Sequence, residues 1–212
     1  MYISRVEVDT YNRRIIRELS HIGAYHNWVE HSFPHEFEKK ERSRKLWRLD
    51  NIDNRTYLLI VSQIEPSISH LERFGVSGTG QSKNYDTFLE QLENGLQARF
   101  RVTLNPVISI RETEEAKRGR VVPHVTIDQQ RQFLLDRAEK NGFSLEDNEF
   151  EIVERGYVRF KKKNNREIQL TKATYEGRLT IIDKDKFIKT LTLGFGKKKA
   201  YGFGMLTIIP YK

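Results

Sequence analysis

The chain has 212 residues, 37% of them hydrophobic and 31% charged, with a formal net charge of +8 and no cysteine. That length holds one large domain or two small ones, while the missing thiols exclude disulfides, thiolate zinc sites and a cysteine nucleophile and fit a reducing cytoplasm. The positive excess favours a polyanionic partner, because Lys and Arg displace the counterions condensed on phosphates.

The opening "MYISRVEVD" alternates and predicts a strand over 2–9 with Tyr2, Ser4, Val6 and Val8 turned inward. It has no signal-peptide pattern, and no apolar run approaches the ~20 residues that span a bilayer, so no membrane partner is expected. "NRRIIRELSHIGAYHNWVEHSF" puts Ile15, Ile16, Leu19, Ile22, Trp28 and Val29 near helical spacing. Gly23 interrupts it, so one weakened helix or two short ones are predicted, ended by Pro34. A charged connector over 36–44 leads to strands at 45–50 and 55–63, joined by a turn at 51–54. "SISHLERF" reads as a short helix or loop and "GVSGTGQSKN" as turns. "YDTFLEQLENG" reads as a helix stopped by Gly95, and "LQARFRVTLNPVISI" as a strand. Residues 1–112 thus order as β-α-β-β-α-β, a ferredoxin-like unit.

Residues 113–212 repeat the logic. "TIDQQRQFLLDRAEKNG" is a helix with Asp128 in or capping its first turn and Gly142 at its end. "FEIVERGYVRFKKKNNREIQLTKATYEGRLTIID" holds three strand-like runs, the first two parted by a turn at 163–166. "DKDKFIKTLTLG" is helical and closes at Gly194, and "YGFGMLTIIPYK" ends the chain as a strand. The fold class is therefore α+β: two units with antiparallel sheets and no obvious sequence repeat.

"HIGAYHNWVEHSFPHEF", residues 21–37, carries four of the six histidines. His21, His26 and His31 are five apart, so successive members diverge by about 140° on a helix. His31 and His35 are four apart but split by Pro34, and no HExxH pattern is present, so no metal site is expected. Acid–base work needs only one imidazole, which titrates near neutral pH. RNA brings its own nucleophile, the 2′-hydroxyl, and a histidine flanked by cations suffices to move the proton. Ordinary surface histidines are the alternative.

"GFGKKKAYGFG" interleaves Gly194, Gly196, Gly202 and Gly204 with Lys197, Lys198 and Lys199. Such a loop lets backbone N–H groups and ammonium groups meet phosphates. The spacing fails as a GxGxxG nucleotide motif, so no nucleotide cofactor is implied. Tyr201, Gly202 and Phe203 partly match the aromatic strand of an RRM, with a glycine-rich turn before an edge strand as the alternative.

In order along the chain, "MYISRVEVD", "HNWVEHSFP", "KRGRVVPH" and "TYEGRLTIID…GFGKKKAYGFGMLTIIP" resemble the CasE (Cse3) family of CRISPR-associated endoribonucleases of type I-E systems. The resemblance implies tandem ferredoxin-like, RRM-related domains, here 1–112 and 113–212. It implies cleavage of CRISPR precursor RNA on the 3′ side of a repeat hairpin, without metal or other cofactor, leaving a 2′,3′-cyclic phosphate. It also implies lasting attachment to the product RNA alongside the other Cascade subunits. The family's catalytic histidine falls on His26, and His31 matches a second position that would contact the phosphate. Many members carry a tyrosine three residues before the histidine; Gly23 stands there, so Tyr25 takes that role or other groups do. The loop and helices of this fold cover part of the sheet, so one of Tyr201 and Phe203 is expected in the core.

Three basic patches would hold the hairpin. "ERGYVRFKKKNNRE" offers Arg155, Arg159, Lys161, Lys162, Lys163 and Arg166 with no acid between Arg155 and Arg166. As a β-hairpin it reaches phosphates where the A-form major groove opens near a stem's end, although such runs are also ordinary solvated turns. Lys117, Arg118 and Arg120 form the second patch, and Lys197, Lys198 and Lys199 the third. A non-catalytic RNA-binding subunit of the same fold is the principal rival reading, and a metal-dependent phosphoesterase the lesser one.

Overall fold

The computed structural model describes residues 1–39, 41–111, 119–161 and 167–211. Its first unit comprises β1 (Tyr2–Glu7), α1 (Arg13–Glu18), α2 (Ile22–His31), α3 (Pro34–Lys39), β2 (Lys45–Ile52), β3 (Arg55–Ser62), α4 (Ile68–Leu71) and β4 (Gln81–Asn84). The strands lie in the order β2-β3-β1-β4, every neighbouring pair antiparallel. After α5 (Asp86–Glu90) come β5 (Gln97–Leu104), the β6 (Val107–Ile110) and β7 (Arg120–Pro123) hairpin, α6 (Ile127–Ala138) and β8 (Phe143–Ser144). β9 (Phe150–Lys161), β10 (Glu167–Ile181), α7 (Lys184–Leu193) and β11 (Leu206–Pro210) complete the second unit. There β11, β5 and β10 are neighbours, and both β9 and the short β8 pair with β10. Each unit thus runs β-α-β-β-α-β with its first strand between its third and fourth, a tandem of ferredoxin-like domains.

The sheets divide earlier than the sequence suggests. β5, expected to close the first sheet, pairs with β10 and β11 in the second. Its inward residues Ala98, Phe100, Val102 and Leu104 are all buried in the second core. The fourth strand of the first sheet is instead "QSKN", inside the stretch read as turns. A polar edge strand carries no apolar alternation, so periodicity misses it. The chain passes between sheets over 85–96, ahead of the 112/113 division.

One local expectation is resolved and two are corrected. The long helical stretch is two short helices, one of the two predicted forms, and the break falls just before Gly23, where the His21 ring caps α2 by accepting from the Ala24 N–H at 3.2 Å. Pro34 begins α3 rather than ending α2, because the first helical position needs no N–H donor. The three strand-like runs are two long strands, β10 being 15 residues with a register shift at Thr174/Tyr175.

The smaller core lies under α2, where Trp28, Val29 and Phe33 meet Trp47, Leu58 and Ile60. Arg48 of β2 then ties the sheets together. Its guanidinium chelates Asp50 at 2.6 and 2.7 Å and donates to the carbonyls of Arg101 and Met205 at 2.8 and 2.9 Å. It also donates to the Thr207 hydroxyl at 2.8 Å.

Candidate active site

Two segments far apart in sequence meet at the histidine. α2 carries Tyr25 and His26 in its middle. The glycine-rich segment after α7 folds back in a single 3-10 turn, Lys199–Tyr201, before β11. The Trp47 indole N–H donates to the Ala200 carbonyl at 3.1 Å and fixes that turn over β2. Gly202 has φ +78°, and a Cβ there would stand 2.9 Å from the Trp47 ring. Gly204, φ +83°, lies against the Phe195 carbonyl. These two glycines fit the loop to its own protein. Lys199 is used in the same way, its ammonium donating to the Gly194 carbonyl at 3.1 Å. Burial, then the neighbouring Arg44, lowers its pKa. Lys197 and Lys198 are exposed. Phe203 is buried with Leu170, while Tyr201 is only half-buried, so one of the two aromatics is core. Gly202→Ala is expected to cost about 1–2 kcal/mol through the left-handed backbone alone; urea unfolding against wild type measures it.

The loop brings Tyr201 to His26, with ring centroids 5.9 Å apart and tilted by 56°. On the helix itself Glu30 is one turn on, its Oε1 4.0 Å from His26 Nδ1. The His26 side chain is 34% exposed, enough for a substrate to reach it. Burial lowers its pKa below the ordinary imidazole value, and Arg42 and Lys45 push the same way against an opposing pull from Glu30. The lowered pKa favours the neutral ring, the form that accepts a proton.

The other two residues proposed for the site make different contacts. Tyr25 packs its ring near-parallel to Trp47 at 6.1 Å and tilted against Trp28 at 6.3 Å. Burial raises the pKa of its phenol. His31 pairs its Nδ1 with the Asn27 carbonyl at 2.8 Å and rests on Phe37 at 5.1 Å. Arg42 stands over the same Phe37 ring at 5.9 Å, and Glu30, Glu36, Phe37 and Arg42 line a pocket of about 250 Å³. His26 is thus grouped with Tyr201, Glu30, Arg42 and Lys45. Glu30 was legible as the i+4 neighbour of His26. Arg42, Lys45 and Tyr201 arrive only through the tertiary fold.

The basic patches divide similarly. Arg155 braces α6, donating to the Gln130 side chain at 2.9 Å and the Val125 carbonyl at 2.6 Å. Arg159 lies on β9 opposite Gln169, and Lys161 ends that strand. Arg120 opens β7 opposite Ile110. Lys117, Arg118, Lys162, Lys163 and Arg166 lie outside the described residues. Among the described residues, no three of His, Asp or Glu converge as a metal-binding group, and no helix is long and apolar enough to cross a membrane.

A family model described as CRISPR associated protein matches residues 1–210. The CRISPR-associated endoribonuclease Cse3 of Thermus thermophilus is 26% identical over 221 residues, spanning 99% of this chain and 100% of that protein. Cse3 of Thermus thermophilus bound to an RNA representing a pre-cleavage complex superposes with a TM-score of 0.79 at 24% identity, over 99% of this chain and 98% of the other. A chain of a CRISPR RNA-guided surveillance complex, pre-nicking, superposes with a TM-score of 0.69 at 18% identity, over 98% and 99%.

Proposed function

The chain belongs to the CRISPR-associated protein family, and from that premise we propose that it is a metal-independent endoribonuclease that cuts CRISPR precursor RNA at the base of the repeat hairpin. The observation that carries this reading is His26: one-third exposed, its pKa lowered by burial, and held where α2 meets the glycine-rich segment of the second domain. His26 takes the proton from the RNA 2′-hydroxyl as that oxygen attacks the adjacent phosphorus. The bond from phosphorus to the 5′-oxygen breaks, and the 5′-oxygen takes a proton from water. The products are a 2′,3′-cyclic phosphate and a 5′-hydroxyl, and the imidazolium returns its proton to solvent.

Arg42 supplies positive charge near the phosphorane, and Tyr201 limits the tilt of the imidazole ring. Tyr25 supports α2 through Trp47, and His31 contributes at the phosphate from the Phe37 side. The stem lies along Arg120, Arg159, Lys197 and Lys198, and Lys117, Arg118, Lys161, Lys162, Lys163 and Arg166 are proposed to bind the same RNA. The protein keeps its product RNA and joins the other Cascade subunits, in a cytoplasmic setting.

Incubation with an end-labelled repeat hairpin tests this directly. Cleavage is expected at an undiminished rate in excess EDTA, with a product that phosphatase leaves untouched until acid opens the cyclic phosphate. Loss of activity on chelation, or a free 3′-hydroxyl, refutes the mechanism. Binding with no cleavage leaves only an RNA-holding subunit.

A further inference from the structure

We infer that Glu30 is the positioning residue for His26 and that Lys45 anchors it: the carboxylate holds the Nδ1 edge of the imidazole, leaves Nε2 to the RNA, and stabilises the imidazolium as it forms. The inference rests on His26 as the proton acceptor proposed above.

The geometry begins with the helix. Positions 26 and 30 share a face of α2, so their side chains meet. Glu30 uses its two oxygens on different partners: Oε1 stands 4.0 Å from His26 Nδ1, and Oε2 stands 3.5 Å from the Lys45 ammonium. Lys45 leads β2 and its side chain is 1% exposed, so it is fixed from below by the core. It sits over the Phe33 ring at 5.0 Å, donates to the Ser43 carbonyl at 3.4 Å and ion-pairs with Glu36. Glu36 is in turn held on its other oxygen by the Ser43 N–H at 3.2 Å and the Ser43 hydroxyl.

Charge decides what this assembly does. Two carboxylates share one ammonium, so the set is one negative charge in excess. Glu36 is committed to Lys45 and Ser43, and the uncommitted oxygen belongs to Glu30 and faces His26. A buried ammonium with a fixed partner keeps that oxygen from turning to water. The remaining charged groups reaching His26 are Arg42, on the connector before β2, and Lys45; Tyr201 faces it from the glycine-rich segment. Both cations oppose the imidazolium, and Glu30 alone favours it. A general base that must pick up a proton beside two cations needs such a counter-charge.

Glu30→Gln is nearly isosteric and keeps the helix. It is expected to bind the hairpin like wild type and to cut it about 10- to 100-fold more slowly, a part of the roughly 10²–10⁴ that a general base supplies. The acid limb of kcat/KM against pH reports His26 in the free enzyme. Removing the group that raises its pKa moves that limb to lower pH, whereas Arg42→Ala moves it to higher pH. Glu30→Asp keeps the charge and holds the limb closer to wild type than Glu30→Gln does. A Glu30→Gln protein with wild-type rate and an unmoved limb overturns the inference. In the unaltered protein, ¹⁵N NMR is expected to show His26 protonated on Nδ1; the Nε2–H tautomer overturns it independently of any variant. His26→Ala separates the two failures: if that variant cuts, the reading of the site falls, and if it is inactive while Glu30→Gln is normal, only the role of Glu30 falls.

Discussion

His26→Ala is expected to reduce single-turnover cleavage of the repeat hairpin by about 10²–10⁴-fold, the usual worth of a general acid or base. Affinity for the uncut hairpin should stay near wild type. The two effects separate because of where the residue stands. Its side chain is one-third exposed and rests against the Tyr201 ring, so truncation removes a partly solvated group rather than a core one. Among the described residues, the groups proposed to bear the stem lie on β7, β9 and the loop after α7, and that loop is anchored by the Trp47 indole N–H on the Ala200 carbonyl. The fall should therefore reside in the rate of the bound complex, as for an interaction made only in the transition state. Filter binding and single-turnover kinetics on the same labelled hairpin measure both. A variant that cuts within about threefold of wild type removes His26 from the chemistry, since losing a general base costs far more.

Much of this arrangement was legible before any coordinates. The five-residue spacing of His21, His26 and His31 argued only against a metal cluster; the family resemblance is what singled out His26. The tandem α+β order followed from apolar periodicity. What stayed hidden has a common cause. β4 is four polar residues at a sheet edge, so burial wrote no pattern into it. Without it, β5 was counted into the wrong sheet although its alternation was plain. The glycine-rich segment invites a phosphate-cradle reading because its composition is the same whether backbone approaches a ligand or a tryptophan. Only Trp47, brought up by β2, shows what Gly202 is fitted against. Tyr25 is adjacent to His26 in sequence, yet neighbours on a helix point about 100° apart, and its ring enters the core. Tyr201 is 175 positions away and supplies the aromatic contact instead.

Arg48→Ala is expected to destabilise the protein by about 3–5 kcal/mol, the cost of removing one partner from a buried ion pair. Arg48 is 3% exposed and reaches five acceptors, on β2, on β5, on β11 and at Met205 just before β11. Asp50, on the same strand two residues away, is 10% exposed. Without Arg48 that carboxylate keeps, among the described residues, the Arg101 side chain at 3.2 Å, and Arg101 is shared with Glu176. The carbonyls of Arg101 and Met205 also lose a donor where water does not easily replace it. Because those carbonyls belong to the second sheet and Arg48 to the first, the loss falls on the junction that seats the glycine-rich loop above Trp47. Urea unfolding should show the transition at lower denaturant, splitting in two if the domains come apart before they unfold. Arg48→Met combined with Asp50→Leu should recover part of the loss, because an apolar pair leaves no buried charge without a partner. If the single substitution unfolds at the wild-type midpoint, the guanidinium is not what joins the sheets. Cleavage adds a second reading. His26 sits on the first domain and Tyr201 on the second, so a loosened junction should slow the chemical step even where both domains stay folded.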